Sequence, residues 1–194
     1  MSPSEDRLPP GSLDGREVIV GVCGGIAAYK TATVVSRLVQ AGAGVSVAMT
    51  RAARRFVGVQ TFAALTQRRV FTTLWHVQGY DDPQHIRLTE QANLFLIAPA
   101  TANMMGKIAA GIADDLLSTM VMSAACPVLL APAMNARMWQ NPIVQRNVAA
   151  LREAGYRFVG PEEGWQACRT VGPGRMAEPA TILEHVLSIL QPAT

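Results

Sequence analysis

EVIVGVCGGIAAYK, residues 17–30, is the stretch whose reading decides the fold. Glu17 to Val22 is a short run rich in β-branched residues that ends among Gly21, Gly24 and Gly25. Residues 26–39 then carry apolar side chains at helical spacing as far as Ala41-Gly42. Strand, glycine turn and helix, in that order, open a doubly wound sheet. The alternation recurs downstream. VSVAM at 45–49 predicts a second strand, with TRAARRFV after it as a helix start. LFLIA at 94–98 predicts a third, followed by helices from about Asn103 and about Asp115. VLLA at 128–131 predicts a fourth strand, 142–154 a helix stopped by Gly155, 156–159 a fifth strand, and 180–190 a closing amphipathic helix. The expected fold class is therefore α/β, a single Rossmann-like or flavodoxin-like parallel sheet with helices on both faces, over residues 16–194. Residues 1–15, with three acids and three prolines, read as a disordered tail. Residues 160–179 hold glycines and prolines with little periodicity, too long a stretch for a routine connection, and suggest a functional loop or flap.

Composition narrows the function classes. A chain of 194 residues suits one domain, and 49% hydrophobic against 16% charged residues leaves much apolar surface to hide, which favours self-association. The net charge of +3 comes from scattered basic residues, of which only Arg51, Arg54 and Arg55 cluster, without interleaved aromatics. That argues against nucleic acid. Cys23, Cys126 and Cys168 are widely separated, with no CxxC pair and no histidine at ligand spacing, so neither a metal site nor a disulfide framework is expected and a cytoplasmic location is. The first fifteen residues lack the apolar core of a signal peptide. Leu116 to Met134 is uncharged over a membrane-spanning length, but Pro127 and Pro132 divide it into a buried helix and a buried strand, so no membrane partner is expected.

The strand ends carry the candidate chemistry, because a parallel sheet presents ligand groups at its carboxyl edge. Gly24 and Gly25 precede a helix and could let backbone N–H groups approach a phosphate, or could serve only a tight turn. Thr50 ends the second strand, and PATAN, Pro99 to Asn103, ends the third. These small residues and hydroxyls suit a flat ring beside a phosphate. Asn135, after the fourth strand, reads either as a helix cap or as a polar group aimed into the cleft. His85, after the turn signal DDPQ, is a surface residue or a site residue, while His76 and His185 rank below it. Cys23 and Cys126 border core strands and read as packing, whereas Cys168, beside Arg169 in an irregular loop, has the setting of a reactive thiol.

Taken together, these segments resemble the homo-oligomeric flavin-containing cysteine decarboxylases, from about Arg16 to Leu190. GGIAAYK at 24–30, HIRL at 85–88, PATANMMGKIAAGIADDLL at 99–117 and PAMNARMW at 132–139 fit that family's motifs in order, with Thr101 where a serine is usual. The stretch from Gly164 to Met176 is similar to its substrate-recognition clamp, with Gln166 and Arg169 in place of the usual leucine and glycine. The resemblance implies FMN, held by Gly25, Ile26, Ala27, Thr50, Phe56, Pro99, Ala100, Thr101, Ala102, Asn103 and Ala133. It implies catalytic His85 and Cys168, and substrate contacts from Asn135, Met138, Ala167 and Arg175. It further implies decarboxylation of phosphopantothenoylcysteine to phosphopantetheine in coenzyme A biosynthesis, a homotrimer with onward assembly to a dodecamer open, and partnership with a phosphopantothenate–cysteine ligase domain or protein. Rival readings are an oxidative decarboxylase of a peptidyl C-terminal cysteine, a flavin prenyltransferase, and a non-catalytic flavin-binding regulatory subunit. The intact His85, Asn135 and Cys168 disfavour the last, and Cys168 with GPGRM disfavours the first. A prenyltransferase would open on a different glycine turn.

Overall fold

The computed structural model describes residues 8–74 and 84–191, with no side-chain description for 84–86. Five strands, β1 (Glu17–Val22), β2 (Gly44–Met49), β3 (Leu94–Ala100), β4 (Val128–Pro132) and β5 (Arg157–Phe158), pair in parallel in the order β2-β1-β3-β4-β5. This is the flavodoxin-like order, whose topological switch lies between β1 and β3. β3 is buried along its whole length because it sits centrally with both faces covered. Strand side chains alternate between two apolar clusters as the period of two requires. Val18, Val20, Val45, Val47, Leu94 and Leu96 face one side, and Ile19, Phe95, Ile97 and Leu130 the other.

Helices α1 (Ala28–Gln40) and α2 (Val59–Thr66) contribute Val34, Val35, Leu38 and Phe62 to the first cluster. After α3 (Gln84–Gln91), α4 (Ala102–Ala109) and α5 (Leu116–Met122) contribute Met104, Met105, Leu117 and Met120 to the second. A short α6 (Ala136–Trp139) leads into α7 (Pro142–Glu153), which packs on α4. The closing α8 (Pro179–Leu190) lies against α1. Pro142 and Pro179 start their helices where a missing N–H costs nothing. No helix among the described residues is long and apolar enough to cross a membrane, and the stretch 116–134 folds into α5 and β4.

Several expectations are corrected. The stretch 8–15 is not a disordered tail: it forms turns, and Leu13 is fully buried in the first cluster. Residues 1–7 lie outside the described residues. The helix start at TRAARRFV is only a 3-10 turn, Ala53–Arg55, and the α-helix waits until Gly58 provides an extended N-cap for α2. The stretch 160–179 is not irregular throughout. It contains an antiparallel hairpin, β6 (Glu162–Trp165) with β7 (Val171–Arg175). Glycine and proline at alternate positions of β7 hid the strand from a reading based on apolar periodicity.

Candidate active site

The carboxyl ends of β1, β2, β3 and β4 open into one cleft of about 1110 Å³, roofed by the hairpin. Gly25, Ile26, Ala27, Thr50, Thr101, Ala102, Asn103 and Ala133 line it, as do Asn135, Met138, Ala167, Cys168 and Arg175. Three expected flavin contacts do not line it: Phe56 is exposed at the end of the 3-10 turn, and Pro99 and Ala100 remain within β3. The backbone of His85 lies in α3, while its side chain, and all of His76, lie outside what is described. His185 is on the exposed face of α8, where its Nδ1 contacts the Thr181 carbonyl at 2.9 Å.

Each polar group is set by a local cause. Gly24 packs so closely that a Cβ there would lie 2.4 Å from Cβ of Ala52, whereas one on Gly25 would meet nothing nearer than Pro99 at 4.0 Å. Gly24 therefore locks the turn, and Gly25 leaves its backbone open to the cleft at the start of α1, which no side chain caps. Thr101 caps α4 through its hydroxyl, 3.3 Å from the Met104 N–H. Asn135 is indeed a cap, its Oδ1 accepting from the Met138 N–H at 2.9 Å. With that oxygen engaged in the cap, the amide nitrogen, a donor, is available to the cleft that Asn135 lines.

Ionic groups border the cleft at two places. Lys30 Nζ contacts both carboxylate oxygens of Glu178 at 2.9 Å, and Arg175 pairs with the same carboxylate. Burial, then repulsion from Arg175, pulls the Lys30 ammonium below its ordinary pKa. At the other side Asp115 caps α5 and meets Lys107 at 2.6 Å. Burial works against its charge, but the Lys107 contact and the Ser118 N–H outweigh it and hold the carboxylate below its ordinary pKa. Lys30, Glu178 and Asp115 escaped the sequence reading, although Lys30 stands one turn beyond the glycines and Glu178 just ahead of a helix-starting proline.

The cysteines separate as chemistry requires. Cys23 is fully buried, and desolvation pushes its thiol from 9.0 up to about 12, hydrogen bonds from Thr101 offsetting only part. Since an unfolded thiol ionises at its ordinary value, this group's contribution to stability is complete below pH 9.0 and is lost as pH rises toward about 12. Cys168 is exposed, with Sγ 3.0 Å from Thr170 Oγ1. Iodoacetamide near neutral pH is therefore expected to label Cys168 first and Cys23 only after unfolding. Mass mapping that found Cys23 labelled in the folded chain would contradict its burial.

Gly174 holds the hairpin to the β4 end. It adopts φ +119, its carbonyl accepts from the Met134 N–H at 2.9 Å, and a Cβ on it would lie 2.4 Å from the Met134 oxygen. Gly174→Ala is expected to destabilise the chain by about 1–3 kcal/mol through backbone strain and overpacking. A denaturation midpoint equal to the parent's would contradict the close approach.

A parallel sheet in flavodoxin order, whose strand ends and hairpin enclose one cleft, is the arrangement of a ligand-binding α/β protein. The Flavoprotein family matches residues 7–191, and the chain belongs to it. The chain is 47% identical over 172 residues to the coenzyme A biosynthesis bifunctional protein CoaBC of Bacillus subtilis (strain 168), covering 89% of this chain and 42% of that protein. It is 45% identical over 174 residues to CoaBC of Mycolicibacterium smegmatis, with the same two coverages. It thus spans less than half the length of these relatives. Among solved structures it is similar to a mutant PPC decarboxylase complexed with pantothenoylaminoethenethiol, with 30% identity, TM-score 0.79, and 88% and 96% of the two chains covered. The FMN-dependent cysteine decarboxylase SpaF is 35% identical with TM-score 0.77, over 90% and 97%.

Proposed function

We propose that this chain is an FMN-dependent decarboxylase that converts phosphopantothenoylcysteine to phosphopantetheine for coenzyme A biosynthesis. The observation that carries the reading is the single cleft where the open Gly25 turn and the strand-end residues Thr50 and Thr101 to Asn103 meet Asn135 and Cys168. The residues fit a flavin mononucleotide: the cleft is large enough, the Gly25 backbone is accessible beside an uncapped helix start for a phosphate, and small side chains leave room for a flat ring. Gly25, Ile26, Ala27, Thr50, Thr101, Ala102, Asn103 and Ala133 would hold it. The kinship with FMN-dependent and PPC decarboxylases supports the same assignment.

A cysteinyl carboxylate does not lose carbon dioxide readily, because the electrons left on Cα have no acceptor. FMN bound there would supply reversible two-electron redox chemistry toward the thiol-bearing carbon, and so the electron sink the substrate lacks. With that chemistry available, the proposed route would run through a thioaldehyde, whose C=S would lie β to the carboxylate, and an enethiol. The protein's share is positioning and proton handling. Asn135 donates to the carboxylate without the ionic hold that would oppose its departure as a neutral gas. His85 assists deprotonation or holds the same carboxylate. Cys168 provides the proton that completes the saturated thiol. The hairpin, in the place of the expected clamp at 160–179, closes over the substrate with Met138, Ala167 and Arg175.

The reading extends to a homotrimeric assembly, to a ligase domain or partner that makes the substrate, and to the cytoplasm. Exposed Ile26, Tyr29 and Trp165 around the cleft, each at least 60% accessible, support self-association there. Denaturing purified protein reconstituted with flavin, and identifying what it retained, tests the cofactor. FMN in near-stoichiometric amount is expected, and retention of FAD or of no chromophore would contradict it.

A further inference from the structure

The hairpin turn contains a buried amide that the proposed chemistry leaves unused. Gln166 is only 7% exposed, and a buried amide is costly unless its donors and acceptor are met. Here they are. Oε1 accepts from the Ala136 N–H at 3.0 Å, and Nε2 donates to the Pro173 carbonyl at 3.0 Å, with the Gly172 and Met134 carbonyls at 3.4 and 3.5 Å. The Cys168 Sγ lies 3.6 Å from Oε1, within reach to donate to it, and 3.0 Å from Thr170 Oγ1. One side chain thus joins the residue immediately after Asn135, the return strand of the hairpin and Cys168.

The turn it anchors is under strain. Arg169, a side-chain-bearing residue, holds φ 64, a left-handed conformation that L residues reach at a cost. Its N–H is satisfied by the Gln166 carbonyl at 2.9 Å, and the Gln166 N–H by the Thr170 carbonyl at 2.9 Å. A leucine at 166 would fill the volume but offer neither acceptor nor donor to hold such a turn against α6.

We infer that Gln166 is a positioning residue, whose side-chain amide fixes the Cys168 thiol relative to Asn135 and offsets the strain of Arg169, so that the enethiol receives the Cys168 proton together with the electron pair that reduced flavin would return, before it escapes. This rests on the decarboxylase reading. Loosening the amide leaves loss of carbon dioxide possible, since Asn135 keeps its own cap, but uncouples Cys168 from the reacting group. A role confined to folding would instead slow both stages alike and leave the product composition unchanged.

The test compares the parent chain, Gln166→Leu and Gln166→Leu/Arg169→Gly, each with FMN and phosphopantothenoylcysteine, by the ratio of unsaturated enethiol to phosphopantetheine released. Gln166→Leu is expected to raise that ratio about tenfold or more, the scale of one lost buried hydrogen bond, and the added glycine, free of strain at φ 64, to reverse much of the rise. Amide hydrogen exchange gives a readout independent of turnover: the Ala136 N–H is expected to exchange about tenfold faster in Gln166→Leu. Should that variant not fold, Ala136→Pro breaks the same bond from the other side, since position 136 opens α6 and Asn135 is already extended. It should raise the ratio likewise. A parent chain that makes no product contradicts the decarboxylase reading. Normal product from the parent, with an unchanged ratio in the folded variant, overturns the role of Gln166 alone.

Discussion

Cys168→Ser is expected to consume phosphopantothenoylcysteine and release carbon dioxide, yet to yield a product lighter than phosphopantetheine by one pair of hydrogen atoms. In the proposed chemistry, oxidation and decarboxylation would need the cofactor, His85 and Asn135 but no thiol on the hairpin. The last step needs a proton. Serine can occupy the same exposed position beside Thr170, but its hydroxyl is a far weaker acid than a thiol. Electrons taken from the substrate then stay in the protein, so the flavin absorbance should bleach under anaerobic conditions. Mass spectrometry of the product and the visible spectrum both read the outcome. Normal phosphopantetheine with an oxidised spectrum would make Cys168 a small residue of the hairpin turn and nothing more.

His85→Asn is expected to fold, to bind FMN as the parent does, and to lose about 10²- to 10⁴-fold of its decarboxylation rate, the usual worth of a positioned acid–base group. Asparagine keeps the size and one hydrogen-bonding face of histidine but cannot exchange a proton near neutrality. Single-turnover carbon dioxide release measures the effect. A folded variant within a few-fold of the parent rate would remove His85 from the chemistry.

The parallel sheet was legible because β1 to β4 are short apolar runs, with a glycine turn and helical spacing directly after β1 and helical stretches after the others. α2 was less so: VQTFAALT holds just two buried side chains, Phe62 and Thr66, so its periodicity is faint. Leu13 shows the converse, a single apolar residue in a polar, proline-rich segment that long-range packing recruits into the core. The hairpin was invisible to periodicity, because β7 reads VGPGR and is held by bonds from Gln166 and Met134 rather than by apolar faces.

Within the cleft, the strand-end residues were found because a parallel sheet places its ligands there. Lys30 and Glu178, 148 residues apart, could not be paired from sequence, since only the packing of α8 on α1 brings them together. Gln166 and Arg169 stood out as departures from a family pattern, but their meaning lay in one buried amide and one positive φ, neither of which residue types alone disclose. Asn135 joined two readings held apart: its oxygen caps α6, and its nitrogen remains for the cleft.

The central claim is that this cleft decarboxylates a cysteinyl carboxylate and returns a saturated thiol. Incubating the purified, FMN-reconstituted chain with phosphopantothenoylcysteine, and following carbon dioxide and thiol products by mass spectrometry, tests it most directly. The account predicts equal amounts of carbon dioxide and phosphopantetheine, with no external oxidant or reductant. Unchanged substrate, or carbon dioxide accompanied only by the unsaturated thiol, would contradict it.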